Sequence, residues 1–190
     1  MKKQSLFFAV CTAITIFTVT SCKKDAVETP APQAKEVTAT VAKGIIEFIE
    51  KNALDNTVTS SIMIPIDQTF FVNTLSGGED VHFSGQLHLV TKFEIVGPPI
   101  RPIRLFTNTV ALKGIGRLTG LAYQLTGIDE SFQNVTAGSA FSFVHSYGLT
   151  RFAAGPPIIP PNPIIPFRYS VQLNNAGEVI QADAIATFDF

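Results

Sequence analysis

From residue 57 onward the chain alternates between apolar and polar positions. In D-V-H-F-S-G-Q-L-H-L-V-T-K-F-E-I, residues 80–95, Val81, Phe83, Leu87, Leu89, Phe93 and Ile95 are apolar. Asp80, His82, Ser84, Gln86, His88, Lys92 and Glu94 between them are polar. Successive side chains of an extended chain point to opposite faces, so this pattern predicts a half-buried strand. It is long for one straight strand, which predicts a bend or bulge near Gly85. The pattern returns at the C-terminus, where Phe167, Tyr169, Val171 and Leu173 alternate with Arg168, Ser170, Gln172 and Asn174. After the turn residues 174–177, a last strand places Ile180, Ala182, Ala184, Ala186, Phe188 and Phe190 on one face. Two alternating runs around an Asn/Gly turn predict a hairpin.

Further β-like runs cover residues 57–66, 103–112, 117–126 and 140–152, with turn residues at 77–78, 114–116 and 137–139. No strand–helix–strand rhythm interrupts them. The expectation is an all-β fold: an antiparallel meander of seven or eight strands closed as a barrel, with a sandwich as the alternative. Closure would hide the edges of these apolar strands. Ahead of them, V-A-K-G-I-I-E-F-I-E-K-N-A-L, residues 41–54, sets Ile45, Ile46, Ile49 and Ala53 at helical spacing. It reads as a short N-terminal helix or, because Gly44 and the β-branched residues disfavour a helix, as an extended entry segment.

The first residues change the picture of where such a domain works. Lys2 and Lys3 precede an uncharged run, residues 6–19, and small residues lead to Cys22. This is the layout of a secretory signal, too short for a permanent span. The ending Val19-Thr20-Ser21-Cys22 resembles the lipobox of bacterial lipoproteins. The resemblance implies cleavage before Cys22, acylation of that cysteine, and a lipid-anchored protein of the bacterial outer membrane, facing the periplasm or the exterior. Cys11 would leave with the signal, so no disulfide is available and packing alone must hold the domain. Residues 22–40 are polar and Pro-containing and read as a flexible tether. The domain scheme is therefore 1–21 signal, 22–40 tether, 41–56 helix or entry segment, and 57–190 β-domain. The formal charge of −1 argues against nucleic acid, which requires a basic face.

V-H-F-S-G-Q-L-H-L-V, G-I-G-R-L-T-G-L-A-Y-Q-L-T-G and the closing hairpin are similar to exported, uncharacterised barrel-like domains reminiscent of lipocalins. The resemblance implies a small barrel and transfers no functional residue.

Candidate chemistry is sparse. His82 and His88 share one strand face, but six residues at ~3.3 Å each separate them by about 20 Å, too far to share a metal. His145 shares its face with Phe141, Phe143, Tyr147 and Leu149, as a satisfied core histidine or as the polar anchor of a ligand cavity. Gly114, Gly116 and Gly120 lack the following helix that a phosphate loop needs. Asp129 and Glu130 read as a solvated turn whose side chains point apart. No serine sits in a nucleophile elbow. The pattern thus offers no catalytic residue, metal-ligand set or cofactor motif. Its ligand-site candidates are His145, Tyr147, Phe143 and Tyr123.

Two functions follow as expectations. One is a tethered barrel holding a small apolar ligand, with Ala182, Ala184 and Ala186 leaving room inside. The other is a structural or interaction lipoprotein that meets an envelope protein through its Pro-rich loops. A third function, an enzyme on a barrel scaffold, would gain from Arg104, His145, Tyr123 or Tyr147 converging in one pocket with an acid. The loops are V-G-P-P-I-R-P-I-R-L-F, residues 96–106, and A-A-G-P-P-I-I-P-P-N-P-I-I-P-F, residues 153–167, which together hold nine of the twelve prolines. Proline stiffens them, and their isoleucines are expected to fold over a barrel end or to contact something. The loops share an end if residues 127–135 form a separate returning strand. They lie at opposite ends if residues 117–134 are one long bent strand.

Overall fold

A computed structural model describes residues 43–74, 77–152 and 164–187. The signal, the tether with Cys22, most of the second Pro-rich stretch, and Phe188, Asp189 and Phe190 lie outside the described residues. Nine strands form one antiparallel sheet: β1 (Ile45–Asn52), β2 (Thr57–Thr74), β3 (Gly77–Glu94), β4 (Ile100–Gly116), β5 (Ala122–Thr126), β6 (Ile128–Thr136), β7 (Ala140–Phe152), β8 (Ile164–Leu173) and β9 (Val179–Ala186). The spatial order is β1-β2-β3-β4-β5-β7-β8-β9, with β6 pairing β4 off this path. The meander expected from the alternation is present, with nine strands rather than seven or eight. It is not closed as a barrel by strand pairing.

Several local expectations hold for the physical reasons given. The β8–β9 hairpin pairs Phe167 with Ala186 and Leu173 with Val179. Asn174 shapes its turn, its Oδ1 accepting from the amides of Ala176 and Glu178 at 2.9 and 3.0 Å. The bend near Gly85 is a bulge between Ser84 and Gln86, where a Cβ would lie 2.6 Å from the carbonyl oxygen of Ala111. One correction falls in β9: a register shift at Leu173 turns Val179 inward and leaves Ile180 outside.

Residues 45–52 are strand rather than helix. β1 pairs with β2 from Ile45↔Met63 to Asn52↔Thr57, with a bulge between Ile46 and Phe48. Backbone pairing to a ready template wins over a helical periodicity that Gly44 and the isoleucines already weaken. Ile45, Ile46, Phe48 and Ile49 remain 40–63 % exposed.

The inward rows of β2, β3, β4, β7, β8 and β9 make one core. Phe70 stacks on Phe83 with ring centroids 4.4 Å apart, and Phe167 meets Phe70 edge-on at 6.4 Å and Tyr147 at 5.8 Å. Two seams interrupt the ladders. Across the first, Gln68 of β2 reaches β9: its Nε2 donates to Ala184 O and its Oε1 accepts from Ala186 N, both at 3.0 Å. Ser60 Oγ accepts from Val179 N at 3.2 Å, and Gly44 N donates to Ala182 O at 2.8 Å. The alanines expected to leave room inside thus line the strand that Gln68 approaches.

The second seam separates β6 from β7. β5 and β6 both pair β4, Ile115↔Ala122 and Ile100↔Thr136 being the extremes, so residues 122–136 are one long bent strand broken at Gly127. β7 pairs β5 but not β6. The 96–99 turn and Phe152, after which the second Pro-rich stretch begins, therefore lie at opposite ends of the sheet. Across the seam only side chains of alternate β6 residues reach β7. Asp129 Oδ2 accepts from Ser146 N at 3.2 Å, Ser131 Oγ meets His145 at 2.8 Å, and Gln133 Nε2 donates to Ser142 O at 3.3 Å.

Candidate functional site

Four polar features stand out from the packing, and the four candidate ligand residues divide between two of them. His145, Tyr147 and Phe143, on the inward face of β7, meet at the β6–β7 seam. Tyr147 Oη donates to Thr107 Oγ1 at 2.6 Å and also contacts Tyr169 Oη. Thr107 Oγ1 lies 2.7 Å from His145 Nδ1, and His145 Nε2 lies 2.8 Å from Ser131 Oγ. Phe143 stacks on Tyr169 at 4.7 Å and meets the imidazole edge-on at 4.8 Å.

The count of protons gives this chain a direction. Tyr147 donates its one hydroxyl proton to Thr107, so Tyr169 donates to Tyr147. If Thr107 in turn donates to His145 Nδ1, the imidazole proton lies on Nε2, facing Ser131. Both imidazole nitrogens have a hydroxyl partner. Burial lowers the His145 pKa below its usual 6.5, with nearby Asp129 opposing that shift. Burial also pushes Tyr147 up to about 12 and Tyr169 higher still, while Asp129 adds to both shifts. All three rings are therefore neutral at pH 7. In this tautomer Ser131 receives a hydrogen bond from the imidazole rather than surrendering a proton to it. The seam thus holds a buried histidine with a hydroxyl partner on each ring nitrogen.

Tyr123 belongs to a second cluster. Its hydroxyl donates to Glu79 Oε1 at 2.7 Å, and the same carboxylate accepts from Thr119 Oγ1 at 2.6 Å. Its Oε2 accepts from the amides of Thr119 and Leu118 at 3.1 and 3.2 Å. Glu79 is buried. Burial alone would raise its pKa, but these hydrogen bonds outweigh it and hold the carboxyl below its ordinary 4.5. Burial and the Glu79 charge push Tyr123 up to about 12. The cluster fixes the turn between β4 and β5. Glu79 was legible in principle, because it shares the odd, inward register of Val81 and Phe83.

The third feature is the turn between β3 and β4. Arg101 Nε donates to Pro98 O at 2.7 Å, and Nη1 donates to Glu94 O at 3.3 Å and to Ile95 O. The guanidinium carbon also sits 5.6 Å from the Phe93 ring centroid. Held this way, the turn points Val96 and Ile100, each 62 % exposed, into solvent together with Pro98 and Pro99. Of this loop's isoleucines, expected to fold over an end or to contact something, Ile103 packs into the core and Ile100 does not. The backbone is fixed by the arginine, and the side chains of Val96 and Ile100 are left outside.

The last is the outer face. His82 contacts Thr69 and Asp67, at 3.1 and 3.2 Å, while His88 contacts Ser61 and Asn108, at 2.8 and 3.1 Å. The two histidines have separate partners, as their spacing requires. Asp129 and Glu130 lie in β6 rather than in a turn and do point apart, Glu130 pairing outside with Arg104 at 2.5 Å. That pairing holds the Glu130 carboxyl below, and the Arg104 guanidinium above, their ordinary values. Arg104 thus faces away from His145, and of the residues named above Tyr123 is the one that bonds an acid, Glu79. An open groove of about 280 Å³ crosses this face between Thr59, Val90, Lys92, Arg104 and Phe106. Among the described residues no group of His, Cys, Asp or Glu is placed to hold a metal ion. Comparison with family models, curated proteins and solved structures finds no match to this chain.

Proposed function

We propose that the chain is a lipid-anchored protein of the bacterial envelope whose β-domain works as an interaction module through its surface. Acylation of Cys22 supplies the anchor in this reading. The nine strands act as a barrel joined along β2 and β9 by Gln68, Ser60 and Gly44 rather than by a ladder. The observation that carries the surface role is the Arg101-braced turn, which presents Val96, Pro98, Pro99 and Ile100 to solvent in a fixed shape. Exposed apolar groups that their own fold does not cover are favourable contacts for something else. The competing role, a ligand inside the sheet, is disfavoured by rings that already stack on one another and by a His145 whose two nitrogens both have partners.

Native mass spectrometry of the protein purified from its own membrane separates the two roles. The expected mass is that of the acylated chain alone. A stoichiometric small molecule that survives removal of the lipid anchor would restore the carrier reading. Loss of the acyl mass in Cys22→Ser checks the anchor.

A further inference from the structure

We infer that the 96–100 turn, together with Leu54 on the neighbouring turn, is a tip that inserts into the surface of a lipid bilayer. This rests on the surface-acting reading above and names its partner. The two turns adjoin: Ile95 N donates to Asn56 O at 2.8 Å, and Lys92 pairs with Asp55 at 3.6 Å. Leu54 is 94 % exposed, the most exposed large apolar residue among the described residues. Residues 95–100, I-V-G-P-P-I, carry no charge. Lys92, Glu94, Asp55 and Arg101 flank these apolar residues in the sequence and supply charges of both signs for a headgroup layer to meet.

Shape and chemistry select a bilayer over a protein. A Cβ built on Gly97 would meet nothing within 4 Å, so the turn is convex and open around its apex. Pro98 and Pro99 have no N–H to offer, so the apex cannot add as a strand to another sheet. A convex apolar apex needs a deformable medium or a matching pocket, and a bilayer interface is the former. The brace has the same sense. By fixing the backbone in advance, Arg101 spares the turn the ordering cost of insertion.

The chain's path permits the approach. β1 leads from Gly44 towards the 53–56 turn, about 26 Å at ~3.3 Å per residue. Twenty residues separate Cys22 from Lys43 and reach at most about 70 Å. A lipid on Cys22 can therefore lie in the bilayer that the tip touches. The opposite end supplies the control: Leu118 is 82 % exposed there, on the turn that Glu79 holds.

The absence of tryptophan from the sequence makes the test clean. The chain from Cys22 onward contains every described strand, and Cys22 is then its only cysteine. It is coupled through that thiol to a maleimide-headgroup lipid in phosphatidylcholine vesicles carrying brominated acyl chains, so the outcome does not depend on whether the cell acylates it. Ile100→Trp is expected to shift its emission to the blue and to be quenched severalfold more than Leu118→Trp. Adding Leu54→Ser and Val96→Ser should remove most of the difference. Equal quenching at the two ends, or none in the Ile100→Trp variant, overturns the proposal. A blue shift without bromine quenching that grows with protein density also overturns it and assigns the tip to a second copy. Val96→Trp repeats the measurement if Ile100→Trp fails to fold. Failure of the anchor reading would instead appear as a missing acyl mass on cell-derived protein.

Discussion

Two turns of this sheet are each held by one charged side chain, and they differ in sign, depth and use. Between β4 and β5, the Glu79 carboxylate accepts from two backbone amides and two hydroxyls. Between β3 and β4, the Arg101 guanidinium donates to three backbone carbonyls and lies over Phe93. Glu79 is buried, whereas Arg101 is partly open to solvent. A buried carboxylate is tolerable only when its lone pairs are filled, so its turn must form for the fold to form. A guanidinium near water can satisfy its donors either way, so its turn is shaped but not required. The first turn belongs to stability and the second is free to serve a contact.

The largest effect should follow from Glu79→Ala. It leaves two amides and the hydroxyls of Thr119 and Tyr123 without their acceptor, at a cost of about 3 kcal/mol. Urea unfolding measures it as a lowered midpoint at unchanged slope. A loss no larger than that from an exposed carboxylate would break the distinction between the turns.

Acid should expose the same group next. Burial raises the Glu79 pKa, hydrogen bonds from Thr119, Tyr123 and Leu118 lower it by more, and the net folded value lies below 4.5. A carboxyl depressed on folding contributes stability that is full above its unfolded value and is lost as pH falls through the folded one. Native protein should therefore lose its advantage over Glu79→Gln as pH is lowered from 4.5, and keep it intact above about 6. His145 is lowered too, by burial, and as a base it costs stability below its ordinary 6.5 in both proteins, so the difference between them isolates Glu79.

Arg101→Ala should cost only about 1 kcal/mol globally, the worth of a typical exposed hydrogen-bonded site. Its visible effect should be local. Amide exchange of Ile95, whose N–H bonds Asn56 O, should accelerate while that of residues 117–120 stays unchanged. Equal acceleration at both turns would show that the ends of the sheet open together.

The strands were legible because period-two alternation is local and strong, as in β3 and the β8–β9 hairpin. Gly85 was legible because an interior glycine in such a run marks a bulge. His145 was readable as interior, but its partners were not. Thr107, Ser131 and Tyr169 come from three other strands, and registers decide whether they meet. β1 was misleading in one of its two readings, since its helical spacing yields to pairing with β2 that no local pattern announces. Glu79 could have been found as a carboxylate in an inward register. Arg101 could not: a guanidinium reaching back three to seven residues along its own chain leaves no periodic trace.

The smallest effect is the sharpest test of what the Arg101 turn is for. Arg101→Lys keeps the positive charge behind the tip but replaces a planar fork with a flexible point donor, which cannot bond three carbonyls and lie over Phe93 at once. Global stability should fall by about 0.5 kcal/mol, near the limit of measurement. If charge at the headgroup layer were what the tip requires, the tryptophan of Ile100→Trp in this background would be quenched by brominated lipid as before. If the preset backbone is what matters, quenching should weaken towards that of Arg101→Ala, although the charge is intact and the fold is barely disturbed. Because Glu79 has no counterpart to this separation of shape from stability, the second outcome would mark the β3–β4 turn as the one whose rigidity serves a contact outside the fold.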